Sequence, residues 1–508
     1  MPFRIDETGT TRADFSGNGF NDPGLPSQWH YSNNGDKMFA ATTAAGADIN
    51  VPEAWKLTGG SPSIIVAIVD EGVKYTHPDL ADNMWVNPDG SGVPGYNFAT
   101  NSTKLTWSVS HYDNKGKYDG DSGHGTHVAG TVAAVNNNGK GVCGVAGGTG
   151  SNDGVKLMSC QIFSGGKGGT ISTSVQAIRY AADNGASIIQ CSWGYPTQAP
   201  LNSDRYYENN YSVEKETIDY FVSKKNNDVL DGGLAIFAAG NDATNFASYP
   251  GGYRSYVSVT SFGPDYLPAY YTNYGPGCNV AAPGGDASIS PAGTSAALVL
   301  STLPSELPAE LGTDGADYGY MQGTSMACPH VSGVAALGLS YALAKGRHYT
   351  VDEFKSMLLT AVNDIDSYII GGTKNGMVLR NYRKNMGTGS IDAYQLLMQI
   401  EGTPCLPAKV GVQQVLSLDK FFGQASANLT YKSAEMSQAD MDKLGITAAP
   451  AFSYGKLQIK CTKPGVAKIK IKAMAGSSSA NGEMSGMEIT KEFAIIARSV
   501  QAGNGGWL

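Results

Sequence analysis

In the stretch DSGHGTHVAG (121–130), two histidines stand three positions apart among glycines and other small residues. A histidine between two glycines has space around its ring, and an imidazole held between a carboxylate and a hydroxyl is a general base for acyl transfer. Candidates for both partners lie far away in the chain. Asp70 closes the apolar run SIIVAIV (63–69); a carboxylate there is partly buried and needs a hydrogen-bond donor, which one ring nitrogen of His124 can supply. Ser325 lies in GYMQGTSMACPHVSGVAAL (319–337), just before a helix whose Pro329 is expected in the first turn, where proline is tolerated. The free N–H groups and positive end of that helix suit an oxyanion beside the Ser325 oxygen. Asn241, directly after AAG, offers its side-chain amide as a second donor. Asp70, His124, Ser325 and Asn241 therefore fit one acyl-transfer site. His127, one helical turn beyond His124, is expected to point into the packing face as a hydrogen-bonded core histidine.

The elements that must position these residues are legible as apolar runs. SIIVAIV, VKLMSCQI (155–162), ASIIQCSW (186–193) and GGLAIFAAGN (232–241) read as strands buried on both faces, separated by helical patterns such as STSVQAIRYAADNG. The alternation predicts an α/β domain with a doubly wound, mostly parallel sheet. In such sheets, side chains at the carboxyl ends of strands meet in one crevice, and Asp70, Ser192 and Asn241 all fall at such ends. DASISPAGTSAA (286–297) reads as an inserted loop. Beyond EGTPCLPAK (401–409) the texture changes: KIKIKA (468–473) alternates strictly, TKPG (462–465) reads as a hairpin turn and EITKEFAIIA as a strand. The expected organisation is an N-terminal extension (1–20), a catalytic domain (21–402) and a smaller C-terminal all-β sandwich (403–508).

Taken together, AIVDEGV, GHGTHVAG, AAGN and GTSMACPHVSG resemble the Asp, His, oxyanion and Ser motifs of subtilisin-like serine peptidases, the subtilases. The chain order Asp, His, Ser is that of subtilisin and differs from the chymotrypsin-like and α/β-hydrolase orders. The likeness runs from FNDPGLPSQWHY (20–31) to GTGSIDAYQLL (387–397) and leaves out the C-terminal region. It implies a serine endopeptidase in which Asp70 steadies the His124 imidazolium, His124 moves the proton, Ser325 forms the acyl-enzyme, and Asn241 with the Ser325 N–H holds the oxyanion. It further implies peptide binding as an added strand along Ser192, Trp193 and Gly194 and along Ala238, Ala239 and Gly240, the walls of an S1 pocket with its floor near Ser248. No acid lies on that floor, so a roomy, mainly apolar pocket of broad specificity is expected, with Asp242 at its rim. YTHPDLADN and AAVNNNGKGVCGVAG resemble a subtilase calcium site, with Asp79 giving a carboxylate and carbonyls near Val135, Asn138 and Val142. No cofactor is expected in catalysis itself. Glu71 departs from the family, which usually has Ser or Thr there, and adds an acid beside Asp70 that favours the protonated imidazole.

Composition narrows the remaining possibilities. The 508 residues exceed the roughly 250 to 300 at which a single core stops growing, so two folding units are expected. With 36 Lys and Arg against 44 Asp and Glu, the net charge of −8 disfavours nucleic-acid or anionic-membrane surfaces. No membrane span is read in the sequence, and MPFRIDETGT lacks the apolar core of a signal peptide. The seven cysteines form no CxxC pair, and their odd number leaves at least one thiol unpaired. Polypeptide substrates, a monomeric state and a secreted, periplasmic or cell-surface location are expected, the location from the family alone. Two alternatives compete: a zinc hydrolase using His124, His127 and Asp70, which leaves the Ser325 and Asn241 segments unexplained, and a catalytically impaired subtilase-like scaffold that binds or adheres.

Overall fold

A nine-stranded sheet organises the larger of two units in the computed structural model, which describes residues 20–197, 201–418, 421, 429–475 and 487–498. Seven of its strands are β1 Ile65–Glu71, β2 Gly95–Asn97, β3 Lys156–Phe163, β4 Ile188–Cys191, β5 Leu234–Ala238, β6 Val257–Phe262 and β7 Val280–Pro283; Val362–Asn363 and Ser390–Ile391 complete it. Across the sheet the order is Val362–Asn363, Ser390–Ile391, β7, β6, β5, β4, β1, β3, β2. Every neighbouring pair is parallel except the first, which is antiparallel. A separate antiparallel hairpin is made by β8 Val299–Thr302 and β9 Tyr318–Met321.

The helices of this unit are α1 Val51–Trp55, α2 His124–Ala133, α3 Ile171–Asp183, α4 Asp204–Asn210, α5 Ser212–Ser223, α6 Thr324–Ala344 and α7 Val351–Thr360, with α8 Ala393–Glu401 running into the second unit. The four apolar runs of the sequence became β1, β3, β4 and β5, and the interior of each is buried, as strands covered on both faces require. α3 starts at a capping box between Thr170 and Thr173 and buries Ala177, Ile178, Ala181 and Ala182 against Met158, Cys160 and Ile162 of β3. Fully burying a side chain such as Ile178 contributes about 1.5–3 kcal/mol.

α6 is apolar on every side. Its 21 residues are long and apolar enough to cross a membrane, contrary to the expectation that no such segment exists, but 94% of its most apolar window is buried inside the protein. A helix hydrophobic all round is a core helix when protein surrounds it. Pro329 corrects a second expectation: it is the sixth residue of α6, beyond the first turn. Its missing N–H would have bonded the carbonyl four residues back, that of Ser325. The Ser192 hydroxyl donates to that carbonyl instead, at 2.6 Å.

The segment 286–297 is a loop, as expected, yet it opens on a fully buried acid. Asp286 and the buried Asp265 both pair with the buried Lys374, at 2.9 and 2.8 Å.

The second unit takes Asn33–Lys37, Thr43–Gly46 and the chain from Leu397. Cys405–Lys409, Met487–Arg498, Gly465–Ala475 and Leu429–Glu435 form one four-stranded sheet in that order, and Gln414–Leu416, Lys456–Ile459 and Ala451–Ser453 a three-stranded one. Leu406, Ile469, Ile471, Phe493 and Ile495 of the first share a core with Leu457 and Ile459 of the second, which gives the sandwich character expected; a short helix, Gln438–Leu444, is added to it. TKPG is not a hairpin turn: it links Lys456–Ile459 in one sheet to Gly465–Ala475 in the other. KIKIKA buries its isoleucines and turns its lysines outward, where Lys468 pairs with Glu492 and Lys472 with Glu435. This strand lies inside its sheet, so the lysines belong to a solvated face and not to a protected edge. Of the expected N-terminal extension, residues 1–19 lie outside the described residues.

Candidate active site

β5, β4 and β1 are consecutive in the sheet and parallel, so their carboxyl ends share one rim. That arrangement sets Asn241, Ser192 and Asp70 side by side, although they are far apart in the sequence. α2 then brings His124 to the end of β1. Its approach is very close: a Cβ on Gly125 would lie 2.0 Å from the Glu71 carbonyl oxygen, and Gly123 turns into the helix at φ 78°, a left-handed conformation natural to glycine. The GHG sequence thus answers a steric demand of the site.

The Asp70 carboxylate is buried, and its Oδ1 lies 2.7 Å from His124 Nδ1. The same oxygen accepts the Glu71 N–H at 2.7 Å, while Oδ2 has no hydrogen-bond partner among the described residues. Burial of the imidazole favours its neutral form, but the charge and hydrogen bond of Asp70, with the charge of Glu71, outweigh it and raise the His124 pKa to about 9. With Nδ1 on Asp70, Nε2 is the nitrogen left for proton transfer.

Ser325 is the second residue of α6 and is half-buried. Its hydroxyl donates to the Ser192 carbonyl at 3.1 Å, and the Ser192 hydroxyl donates back to the Ser325 carbonyl; Gln190 Nε2 in turn donates to the Ser192 hydroxyl at 2.8 Å. The Ser325 backbone is thereby pinned to the end of β4. Asn241 is oriented through its carbonyl oxygen, which accepts both the N–H and the hydroxyl of Thr324 at 2.9 Å. Its amide nitrogen is left facing the rim. A Cβ placed on Gly323 would lie 3.5 Å from Ser325 N, 3.6 Å from Asn241 Nδ2 and 3.7 Å from Ser325 Cβ, so both nitrogens lie close to one point beside Ser325.

The segments expected to wall S1 also come together. A Cβ on Gly194 would fall 2.8 Å from Ser248 Cβ, and one on Gly240 2.3 Å from Ser248 Oγ, so Ser248 sits between both walls. Ala238 and Ala239 are buried. Trp193 is half-buried and its indole N–H donates to the Val69 carbonyl at 2.9 Å, so this side chain braces β1. Asp242, at the rim, accepts the Thr197 hydroxyl at 2.6 Å.

His127 is a core residue. Its ring is buried with Nε2 facing the carbonyls of Val299 and Gly319, at 3.1 and 3.2 Å, and burial lowers its pKa to about 3. Among the described residues no cluster of three or more His, Cys, Asp or Glu is set to hold a metal, so the geometry does not gather His127, His124 and Asp70 into a zinc site.

The expected calcium residues meet where the segment of Asp79 packs on the loop that follows α2. Asp79 is fully buried; its carboxylate accepts the Val142 N–H at 2.9 Å and the Asn138 amide at 2.7 Å, and its carbonyl accepts the Val135 N–H at 2.8 Å. Sequence reasoning missed a second acid. Asp22, also buried, accepts the N–H groups of Asn137 and Asn138 at 2.7 and 3.3 Å. Burial pushes the Asp79 carboxyl up to about 7, with the nearby Asp22 adding to the effect. Neither acid makes an ion pair among the described residues, and two buried carboxylates turned to one loop are oxygen donors of the kind calcium takes. The signal for Asp22 is its place in FNDPGLPSQWHY, the segment that resembles the family start.

Cys143, Cys160, Cys191, Cys278, Cys328 and Cys461 are free thiols. The sequence profile described as Subtilase family matches residues 61–389. The thermophilic serine proteinase of Bacillus sp. (strain AK1) is 31% identical over 284 residues, 56% of this chain and 54% of that protein. Thermitase of Thermoactinomyces vulgaris is 30% identical over 302 residues, 59% of this chain and 84% of thermitase. A solved structure described as proteases from Pseudoalteromonas arctica PAMC 21717 superposes with a TM-score of 0.55 at 29% identity, covering 75% of this chain and 99% of that one. The chain spans only about half the length of the Bacillus proteinase.

Proposed function

The chain belongs to the subtilase family, and from that premise we propose that it is a serine endopeptidase acting through Asp70, His124 and Ser325. The observation that carries the reading is the 2.7 Å contact of Asp70 with His124, with Ser325 N and Asn241 Nδ2 both close to the space a Cβ on Gly323 would fill. The Ser325 hydroxyl turns from the Ser192 carbonyl to His124 Nε2, gives up its proton and attacks the scissile carbonyl. The oxyanion that forms is held by the Ser325 N–H and the Asn241 amide. His124 then returns the proton to the leaving amine, and water releases the acyl group by the same steps in reverse. Substrate binds as a strand along Ser192–Gly194 and Ala238–Gly240, with an apolar side chain toward Ser248.

Calcium, by this reading, is structural. The carboxylates of Asp79 and Asp22, with oxygens near Val135, Asn138 and Val142, would hold it, and it would neutralise two buried charges without entering the reaction. A location outside the cytoplasm is supported by relatives named as extracellular, such as the extracellular protease of Xanthomonas campestris.

The test of the class is casein cleavage by the purified chain beside its Ser325→Ala variant, with fluorophosphonate labelling in parallel. Cleavage and labelling in the parent, and loss of both in the variant, are expected. Cleavage that persists in the variant assigns the activity to other groups, and a parent that neither cleaves nor labels is the impaired scaffold.

A further inference from the structure

Glu71 follows Asp70 on β1, and strand alternation sends consecutive side chains to opposite faces. The pairing with β3 slips at this point: Asp70 is opposite Gln161 and Glu71 opposite Phe163. Such irregularities bend a strand and re-aim its side chains. Here both carboxylates reach the same residue. Asp70 holds the His124 ring, while Glu71 Oε2 accepts the His124 main-chain N–H at 2.9 Å. Glu71 also accepts the Ser122 N–H at 3.1 Å and the Ser122 hydroxyl at 3.0 Å. Gly123, at the N-cap of α2, has no side chain with which to satisfy the donors that a helix start exposes.

We propose that Glu71 is a positioning residue for the peptidase reaction: its carboxylate caps α2 from the neighbouring strand, fixes the His124 backbone against Asp70, and sets a second negative charge beside the imidazolium. The inference rests on the peptidase reading above. The ionisable groups that face Glu71 are Asp70 on β1, His124 at the start of α2, and Asp121 and Tyr118 on the segment leading into α2. Among the described residues Glu71 makes no ion pair with Lys or Arg; burial pushes its carboxyl up to about 7, so above that pH its charge acts on the His124 ring, and the ring's charge acts on it in return.

Two variants test this. Glu71→Gln keeps the length and removes the charge; Glu71→Ser installs the residue type usual in the family. For each, kcat/KM on a peptide and the rate of fluorophosphonate labelling are followed across pH, normalised to folded protein by active-site titration. The acid limb of both profiles is expected to move down by about half a pH unit or more, as loss of a nearby charge makes the imidazolium less favoured. Glu71→Asp, which keeps the charge on a shorter arm, should leave the limb in place while lowering the rate. An unmoved limb in both Gln and Ser variants, with or without a uniform drop in rate, overturns the inference while leaving the peptidase reading intact. A parent chain with no labelling and no cleavage removes the peptidase reading, and this inference with it.

Discussion

His124 carries two duties that pull its pKa in opposite directions. As a base it must be neutral; as the partner of Asp70, with Glu71 nearby, it is held protonated up to about pH 9. Activity is therefore expected to rise with pH through the alkaline range, with an acid limb above the ordinary histidine value of about 6.5, read as kcat/KM against pH. The same shift has a stability consequence of definite sign. The folded state prefers the charged ring, so this stabilisation is complete below about pH 6.5 and is lost as pH rises through about 9, which melting temperatures of the parent and His124→Ala should reveal as a pH-dependent gap. Asn241 permits a sharper test. Removing the equivalent type of donor from subtilisin costs about 100- to 1000-fold in turnover, and Asn241→Leu should lose kcat on that order with KM little changed. A loss confined to KM would place the amide outside the oxyanion space.

At the scale of elements, buried charge separates the loops that matter from those that merely connect. The loop bearing Asn138 is held by two buried acids from other segments, Asp79 and Asp22, neither of them in an ion pair among the described residues. Chelation should lower its melting temperature and restoring calcium should recover it, while Asp79→Asn should abolish the calcium response; a melting temperature indifferent to both removes calcium from the reading. Lys374 offers the contrasting case, because its two acids are already paired. Lys374→Met strands Asp265 and Asp286 in the interior, and a loss of about 3–5 kcal/mol in denaturant unfolding is expected. The sequence marked Asp79 through its family likeness and passed over Lys374, since the pairing joins residues too distant in the chain for any periodicity to connect.

For the whole molecule, two units with separate cores mean that one unfolding free energy does not describe the chain. Phe493 is fully buried in the second unit, and Phe493→Ala should cost that unit about 3–5 kcal/mol. Calorimetry should show one transition displaced, with casein turnover preserved. Turnover lost together with that transition would tie the second unit to the reaction. The fold class was readable at this scale because parallel strands covered on both faces leave continuous apolar runs, and four of them appeared where β1, β3, β4 and β5 stand. β2 and the strands Val362–Asn363 and Ser390–Ile391 left no comparable run, being two or three residues long.

Residue types and motif order by themselves determined that an acid, an imidazole, a hydroxyl and an amide were available for acyl transfer, and that apolar runs would bring the first and last to strand ends. Tertiary structure alone decided how those groups are held. Only the adjacency of β5, β4 and β1 shows why their ends share a rim; only the carbonyl freed by Pro329 explains the grip of Ser192 on Ser325; and only the slipped register after Asp70 turns Glu71 toward His124. The physical reason is common to all three. Local sequence dictates periodicity and burial, whereas hydrogen-bond partners between distant segments are chosen by packing.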